Sequence, residues 1–221
     1  MTAIVFDLDG TLVDSAPDIH RSANVALLAE GRPELSIEAI TSFIGNGVAV
    51  LIRRAMAASG VAGDDVHARM MARFLADYNR APTELTRCYP AVREALAQLS
   101  AKGHRLAVCT NKPEAIARAV LDDLAIGGYF DAVIGGDTTG AHKPDPRPLK
   151  AALSALGAPG GLYVGDSETD AETARAGAVP FVLFAEGYRA HSVAEIDPVT
   201  SFSDFAELSG IVDSLTDAAA L

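Results

Sequence analysis

Short apolar segments that alternate with helix-like segments constrain the fold of this chain more than any other feature. Strand-like runs stand at residues 3–6, 106–109, 132–134, 162–164 and 181–184. Helix-like segments separate the last four runs, at residues 115–124, 148–156 and 168–176. Strands that alternate with helices form right-handed crossovers and a parallel sheet that is covered on both faces. The pattern therefore predicts an α/β fold with a Rossmann-like, doubly wound parallel sheet.

Residues 15–82 follow a different pattern, with helix signals and no strand signal. Ser15 and Pro17 predict a helix start at which the Ser15 side chain caps the helix. Apolar residues recur every four positions from Val66 to Tyr78, as on one face of a helix. Because this segment follows the first strand, we expect an α-helical cap domain over the sheet edge. The expected catalytic core comprises residues 1–14 and 83–221, the expected cap residues 15–82, and the Ala-rich end is expected to fray.

Polar side chains follow four of the predicted strands. Ligands bind at the carboxyl edge of open α/β sheets, so neighbouring strands would bring these side chains into one crevice. Each residue taken alone also has a structural interpretation, as a turn residue, a helix cap or a surface lysine. Four such strand ends together favour a functional site. The set comprises Asp7, Asp9, Thr110, Asn111, Lys143, Asp166, Ser167 and Asp170.

The carboxylates of this set have the chemistry of metal-assisted phosphoryl transfer. Asp7, Asp9 and Asp166 offer hard oxygen ligands, which suit Mg²⁺ together with a substrate phosphate. An aspartate carboxylate can attack phosphorus and form an aspartyl-phosphate. A second carboxyl group can protonate the leaving oxygen and later activate water. We therefore expect Mg²⁺ as the cofactor and a small phosphorylated metabolite as the substrate.

The same residues resemble the four motifs of the haloacid dehalogenase superfamily of phosphohydrolases, over nearly the whole chain. The motifs are Asp7-Leu8-Asp9-Gly10-Thr11, Thr110, Lys143 and Gly165-Asp166 with Asp170. The resemblance implies that Asp7 is the nucleophile and Asp9 the general acid and base. It further implies that Mg²⁺ is held by the Asp7 carboxylate, the Asp9 backbone carbonyl and Asp166, with Ser167 and Asp170 behind them. Thr110 and Lys143 would hold the phosphate.

Within the superfamily, the chain resembles the bacterial phosphoglycolate phosphatases. The resemblance lies in Gly45-Asn46-Gly47 within the cap and in Thr110-Asn111-Lys112-Pro113. It implies hydrolysis of 2-phosphoglycolate to glycolate and phosphate, with Gly45, Asn46, Gly47 and Asn111 among the substrate contacts. A sugar-phosphate phosphatase, a phosphoglucomutase-like phosphotransferase and a catalytically idle binding relative are alternatives. The roles of His20, Arg53 and Arg54 stay open.

Composition limits the partners of the chain. The formal net charge is −11, whereas nucleic acids and anionic membranes are bound through clustered Lys and Arg. We therefore expect no nucleic-acid or membrane partner, and the oligomeric state stays open. The first strand starts at Ala3 and leaves no room for a signal peptide, and Cys88 and Cys109 are the only cysteines. These features predict a cytoplasmic protein with Cys109 in its core.

Overall fold

A six-stranded parallel sheet forms the centre of the protein, for which a computed structural model describes residues 1–218. Residues 219–221, in the Ala-rich end expected to fray, lie outside the described residues. The spatial order of the sheet is β5-β4-β1-β6-β7-β8, and β2 and β3 form a separate antiparallel pair. The strands are β1 (Ala3–Phe6), β2 (Val13–Asp14), β3 (Arg87–Cys88), β4 (Arg105–Cys109), β5 (Ala132–Ile134), β6 (Leu162–Gly165), β7 (Phe181–Phe184) and β8 (Thr200–Phe202).

The helices lie between and after these strands. The three helices with predicted bounds, at residues 115–124, 148–156 and 168–176, agree with the structure to within one residue at each end. The helices are α1 (Ala16–Ala29), α2 (Ile37–Thr41), α3 (Val48–Ala58), α4 (Asp64–Arg80), α5 (Val92–Ala101), α6 (Glu114–Asp123), α7 (Arg147–Ala155), α8 (Glu168–Gly177), α9 (Val193–Ile196) and α10 (Leu208–Ala218). The predicted doubly wound parallel α/β fold is confirmed.

Strand β1 divides the core into two layers because its side chains alternate between the faces of the sheet. Ile4 and Phe6 join one apolar cluster, which includes residues of α5, α6 and α10. Ala3 and Val5 join the other cluster, with residues of α7 and α8. The neighbours of β1 in the sheet are β4 and β6, and β5 lies on the other side of β4. The four strands that are followed by predicted site residues therefore lie side by side.

Helices α1 to α4, the helical segment (residues 16–80), contain no strand. As the four-residue spacing predicts, Met70, Phe74 and Tyr78 are buried on one face of α4. The prediction that the Ser15 side chain caps α1 is wrong. Ser15 occupies the cap position, but its hydroxyl makes no capping hydrogen bond and donates instead to Asp9 Oδ1 at 2.5 Å. A charged carboxylate is a stronger acceptor, and the helix start therefore serves the site.

None of the described helices combines the length and the apolarity that a membrane span requires. Cys109 is fully buried, as expected, and Cys88 is half-buried. Neither cysteine forms a disulfide.

Candidate active site

The chain makes a tight turn directly after β1, and this turn positions both leading carboxylates. The Asp7 backbone N–H still donates to Val164 O of β6, at 2.9 Å, which fixes Asp7 at the sheet edge. Gly10 then adopts a φ of +88°, a left-handed conformation that favours glycine. A Cβ atom at this position would overlap the Asp166 carboxylate. Glycine therefore allows the turn to pack directly against Asp166.

Lys143 is the central cation of the site, although it is only 3% exposed. Its Nζ lies 2.8 Å from Asp7 Oδ1 and 2.7 Å from Asp170 Oδ1. It also donates to the Tyr163 hydroxyl at 3.0 Å, and that hydroxyl donates to Asp170 at 2.7 Å. Burial opposes the charge of Lys143, but the two carboxylates outweigh burial and raise its pKa above the usual value. The ammonium group therefore stays charged beneath Asp7.

The Asp7 carboxylate has a single charged partner, Lys143. Apart from the ion pair between Oδ1 and Lys143 Nζ at 2.8 Å, the side chain accepts no hydrogen bond from the described residues. Burial raises the pKa of Asp7 to about 7; Lys143 opposes this rise, whereas Asp170 adds to it. A buried carboxylate oxygen with open lone pairs can bind a cation or attack an electrophile.

Asp166 and Asp170 lie beside Asp7 but differ in the number of hydrogen bonds that their carboxylate oxygens accept. One oxygen from each of the three carboxylates lies within 4.8 Å of the others, the spacing of a possible metal site. Asp166 accepts one hydrogen bond on each oxygen, from the Thr11 hydroxyl and from the Tyr188 backbone N–H, both at 2.7 Å. Asp170 accepts five, from Lys143, Tyr163, the Asp166 backbone N–H and both donors of Ser167. Asp166 therefore retains acceptor capacity, whereas Asp170 is saturated.

The Asp9 carboxylate is not part of this acidic group and pairs with Lys112. Lys112 Nζ lies 2.6 Å and 2.8 Å from the two Asp9 oxygens. Burial opposes the charge of Lys112, but the carboxylate of Asp9 raises the pKa of Lys112 above its usual value. Together with the Ser15 hydroxyl, this ion pair fixes the orientation of Asp9.

Asparagine side chains connect the helical segment to the sheet edge. The Asn111 amide donates to Gly45 O at 2.9 Å and to Lys143 O at 3.0 Å, and its oxygen accepts from the Lys143 backbone N–H. Asn46 donates to the Thr169 hydroxyl at 3.1 Å and accepts from Arg54 at 2.8 Å. These bonds hold the loop between α2 and α3 over the carboxylates.

Two cavities meet at Asp7 and Asp9. The inner cavity, of about 50 Å³, is bordered among the predicted residues by Asp7, Asp9, Gly45, Gly47, Thr110 and Asn111. The outer cleft, of about 830 Å³, is bordered among them by Asp7, Asp9, Gly45, Asn46, Asp166 and Ser167. Asp170 belongs to the acidic group and Lys143 contacts it directly, so the structure brings every predicted site residue to one place.

The structure places Arg53, Arg54 and His20, whose roles the sequence left open, in three different environments. Arg53 is exposed and lies 3.6 Å from Asp64. Arg54 borders the outer cleft, and His20 lies 2.9 Å from Leu35 O within the helical segment. Arg53 is therefore a surface charge and His20 a packing residue.

Four contributors were missed in the sequence. Lys112 lies within the quoted Thr110-Asn111-Lys112-Pro113 but was given no role, whereas Tyr78 is indistinguishable from an ordinary core position of α4. Tyr163 lies within the apolar β6, and Tyr188 lies in a loop without a pattern. Tyr188 nevertheless links Asp166 to Asp14, to whose carboxylate its hydroxyl donates at 2.7 Å.

The parallel sheet and the buried acidic group at its carboxyl edge define a class of α/β hydrolases. The chain belongs to the haloacid dehalogenase-like hydrolase family, whose profile matches residues 4–184. A phosphoglycolate phosphatase from Cereibacter sphaeroides is 49% identical over 216 residues, which cover 97% of this chain and 99% of the relative. One from Rhodospirillum rubrum is 42% identical and covers 93% of this chain and 88% of the relative.

A solved structure agrees with these relatives. The crystal structure of a predicted phosphoglycolate phosphatase from Haemophilus somnus superposes with a TM-score of 0.91 at 33% identity, covering 96% of this chain and 97% of that one. The prediction of a phosphatase, which is a phosphoric monoester hydrolase, is thereby confirmed at the level of this family.

The raised pKa of Asp7 predicts that stability falls as pH rises. The folded protein binds the Asp7 proton more tightly than the unfolded chain, so ionisation between about pH 4 and 7 destabilises the fold. The quantity to measure is the free energy of unfolding of the wild type minus that of Asp7→Asn, both in EDTA. This difference should fall by at most about 1.4 kcal/mol for each unit that the pH rises. Urea unfolding at pH 5, 6, 7 and 8 measures this difference. Excess Mg²⁺ should reduce the loss, and a difference independent of pH would contradict the assigned shift.

Proposed function

We propose that the protein is a Mg²⁺-dependent phosphatase that hydrolyses 2-phosphoglycolate to glycolate and phosphate through an aspartyl-phosphate intermediate. The observation that carries this proposal is the buried Asp7 carboxylate at the end of β1, which is paired with Lys143 and lies beside Asp166. The phosphoglycolate phosphatases that resemble the chain over nearly its full length support the choice of substrate.

The donor set fits Mg²⁺. Asp7 accepts no hydrogen bond apart from its ion pair with Lys143 and Asp166 has open lone pairs, whereas Asp170 is fully engaged by five donors. Oxygen ligands of this kind are those that Mg²⁺ prefers. The Asp7 and Asp166 carboxylates and the Asp9 backbone carbonyl would hold the ion, and Asp170 with Ser167 would support them. When bound, Mg²⁺ supplies positive charge against the phosphate oxygens.

The side chains divide the reaction into two steps. A carboxylate oxygen of Asp7 attacks phosphorus while the bond from phosphorus to the ester oxygen breaks, and Asp9 gives a proton to that oxygen. Asp9 then takes a proton from water, which attacks the aspartyl-phosphate and releases phosphate and free Asp7. Lys112 orients Asp9 for both transfers through its contacts with both carboxylate oxygens. Thr110 and Lys143 stabilise the charge that develops on the phosphoryl oxygens.

Residues 15–82 act as a cap in this proposal, over a core of residues 1–14 and 83–221. The contacts from Asn111 to Gly45 and from Asn46 to Thr169 support this role, because they hold the cap loop over the reacting carboxylates. Closure of such a loop restricts water at the site. The proposed site of action is the cytoplasm. The proposed partner is a small metabolite rather than a nucleic acid, and the net charge of −11 supports this choice of partner.

Initial rates of phosphate release test the substrate and the metal. We expect 2-phosphoglycolate to give the highest kcat/KM among 2-phosphoglycolate, glucose 6-phosphate, glucose 1-phosphate and a phosphonate, without a bisphosphate activator. EDTA should stop release from 2-phosphoglycolate, and added Mg²⁺ should restore it.

Different outcomes would contradict different parts of the proposal. A preference for a sugar phosphate would overturn the substrate and leave the phosphatase class intact. A requirement for a bisphosphate activator would favour a phosphotransferase, and activity unaffected by EDTA would contradict the metal.

A further inference from the structure

The inner cavity extends from the reacting carboxylates into the helical segment. Asp7, Asp9 and Thr110 border it on the side of the sheet, and Tyr78 and Phe74 of α4 border it on the other. Its remaining walls are mainly apolar, formed by Ile19, Ile44, Val48, Leu51 and Ile116. A group that leaves phosphorus on the Asp9 side would therefore enter a small apolar space.

Tyr78 brings a hydroxyl group that has no protein acceptor to the border of this cavity. The side chain is 2% exposed, and among residues 1–218 only the Lys112 ammonium, which cannot accept a proton, lies close to its oxygen. Its ring stacks on Phe74, with 5.4 Å between the ring centroids. Burial raises the pKa of Tyr78 to about 12, so the hydroxyl stays protonated and can donate. Buried hydroxyl groups are normally paired, so this one suits an acceptor on a ligand.

Lys112 places positive charge beside Tyr78. Its Nζ lies 4.9 Å from the centroid of the Tyr78 ring, while it also contacts both oxygens of Asp9. An anionic acceptor in the cavity would therefore meet a neutral donor and a nearby cation. A neutral apolar group would leave the Tyr78 hydroxyl unpaired.

We propose that Tyr78 determines the specificity for the leaving group by donating a hydrogen bond to a carboxylate oxygen on the short alcohol of the phosphate ester. This inference rests on the proposed function. It adds that the protein recognises the carboxylate of the substrate as well as its phosphate. It assigns to α4 a residue that contacts the substrate on the side away from the phosphate.

The volume of the inner cavity limits the length of this alcohol. One water molecule needs about 10–15 Å³ on the same measure, so about 50 Å³ accommodates on the order of four water-sized groups. A two-carbon hydroxy acid is close to this size, whereas a hexose is far larger. The apolar walls would also leave most hydroxyl groups of a sugar without hydrogen-bond partners. Unpaired polar groups discriminate between substrates more strongly than a difference in size does.

The test compares two esters in wild type and Tyr78→Phe. The esters are 2-phosphoglycolate and ethyl phosphate, which has a short alcohol without a carboxylate. We expect Tyr78→Phe to lower kcat/KM for 2-phosphoglycolate by about 10- to 100-fold, the range for a hydrogen bond to a charged group. For ethyl phosphate we expect a change of less than about twofold, since that ester offers the hydroxyl no acceptor in the cavity.

A thermal unfolding measurement separates this role from a structural one. The thermal midpoint of Tyr78→Phe should stay close to that of the wild type, because the hydroxyl has no acceptor in the protein and the stacked ring is kept. Tyr129→Phe is the matched control, since half-buried Tyr129 lies outside both cavities, and it should change neither rate.

Two results would overturn the inference in distinguishable ways. Equal losses on both esters, or no loss on 2-phosphoglycolate, would overturn the role of Tyr78 while the substrate stands. A wild-type enzyme that prefers ethyl phosphate to 2-phosphoglycolate would overturn the proposed substrate and this inference with it.

Discussion

Asp7→Asn is expected to reduce phosphate release by at least about a thousandfold while the fold is retained. The amide cannot attack phosphorus, and it removes the carboxylate that pairs with Lys143 at the end of β1. Lys143 keeps its second carboxylate, Asp170, at 2.7 Å, so its charge stays paired in the variant. Steady-state phosphate release measures the loss, and circular dichroism checks the fold.

Asp65→Asn is a matched control for this prediction. Asp65 is exposed on α4 and borders neither cavity, and the same change of side chain there should leave the rate unaltered. Substantial turnover by purified Asp7→Asn protein would exclude Asp7 as the nucleophile.

Lys143→Met is expected to lower the free energy of unfolding by about 3–5 kcal/mol and to abolish turnover. The loss of the ammonium leaves Asp7 and Asp170 as buried carboxylates without their shared cation, next to the buried Asp166. Removal of one partner from a buried ion pair is costly because the remaining charge stays uncompensated. Urea unfolding at pH 7 measures the stability, and phosphate release measures the activity.

Two further variants make this prediction specific. Lys150→Met, on the exposed face of α7, should change stability by less than about 0.5 kcal/mol. The double variant Asp7→Asn with Lys143→Met should recover part of the lost stability, because it removes one of the repelling charges. If Lys143→Met unfolds at the same urea concentration as the wild type, the buried ion pairs do not hold the site together.

The sequence predicted the parts of the structure that depend on local pattern. Apolar runs such as Ala3–Phe6 and Phe181–Phe184 are strands, and the four-residue spacing up to Tyr78 is a helix face. The polar residues after β1, β4 and β6 converge because parallel neighbours end at the same edge. The family profile agrees with the resemblance in the motifs.

Features that depend on distant partners were not predictable. β2 and β3 have two residues each and exist only because Val13 and Cys88 pair across the helical segment. Ser15 is a typical helix-capping residue, yet its hydroxyl donates a hydrogen bond to the nearby Asp9 carboxylate instead. The pairing of Lys112 with Asp9 and the Tyr78 hydroxyl without a protein acceptor also require tertiary positions.

The central position of β1 has a consequence for the order in which the chain can fold. β1 leaves the ribosome first, but its neighbours β4 and β6 follow much later, and the Thr11 contact with Asp166 joins residues 155 positions apart. Helices α1 to α4 make more local contacts, which close faster than such distant pairs. We therefore expect helical structure before the sheet forms. A chain truncated before Leu162 would hold Asp7 without β6 or Asp166, so fragments should be inactive rather than partly active.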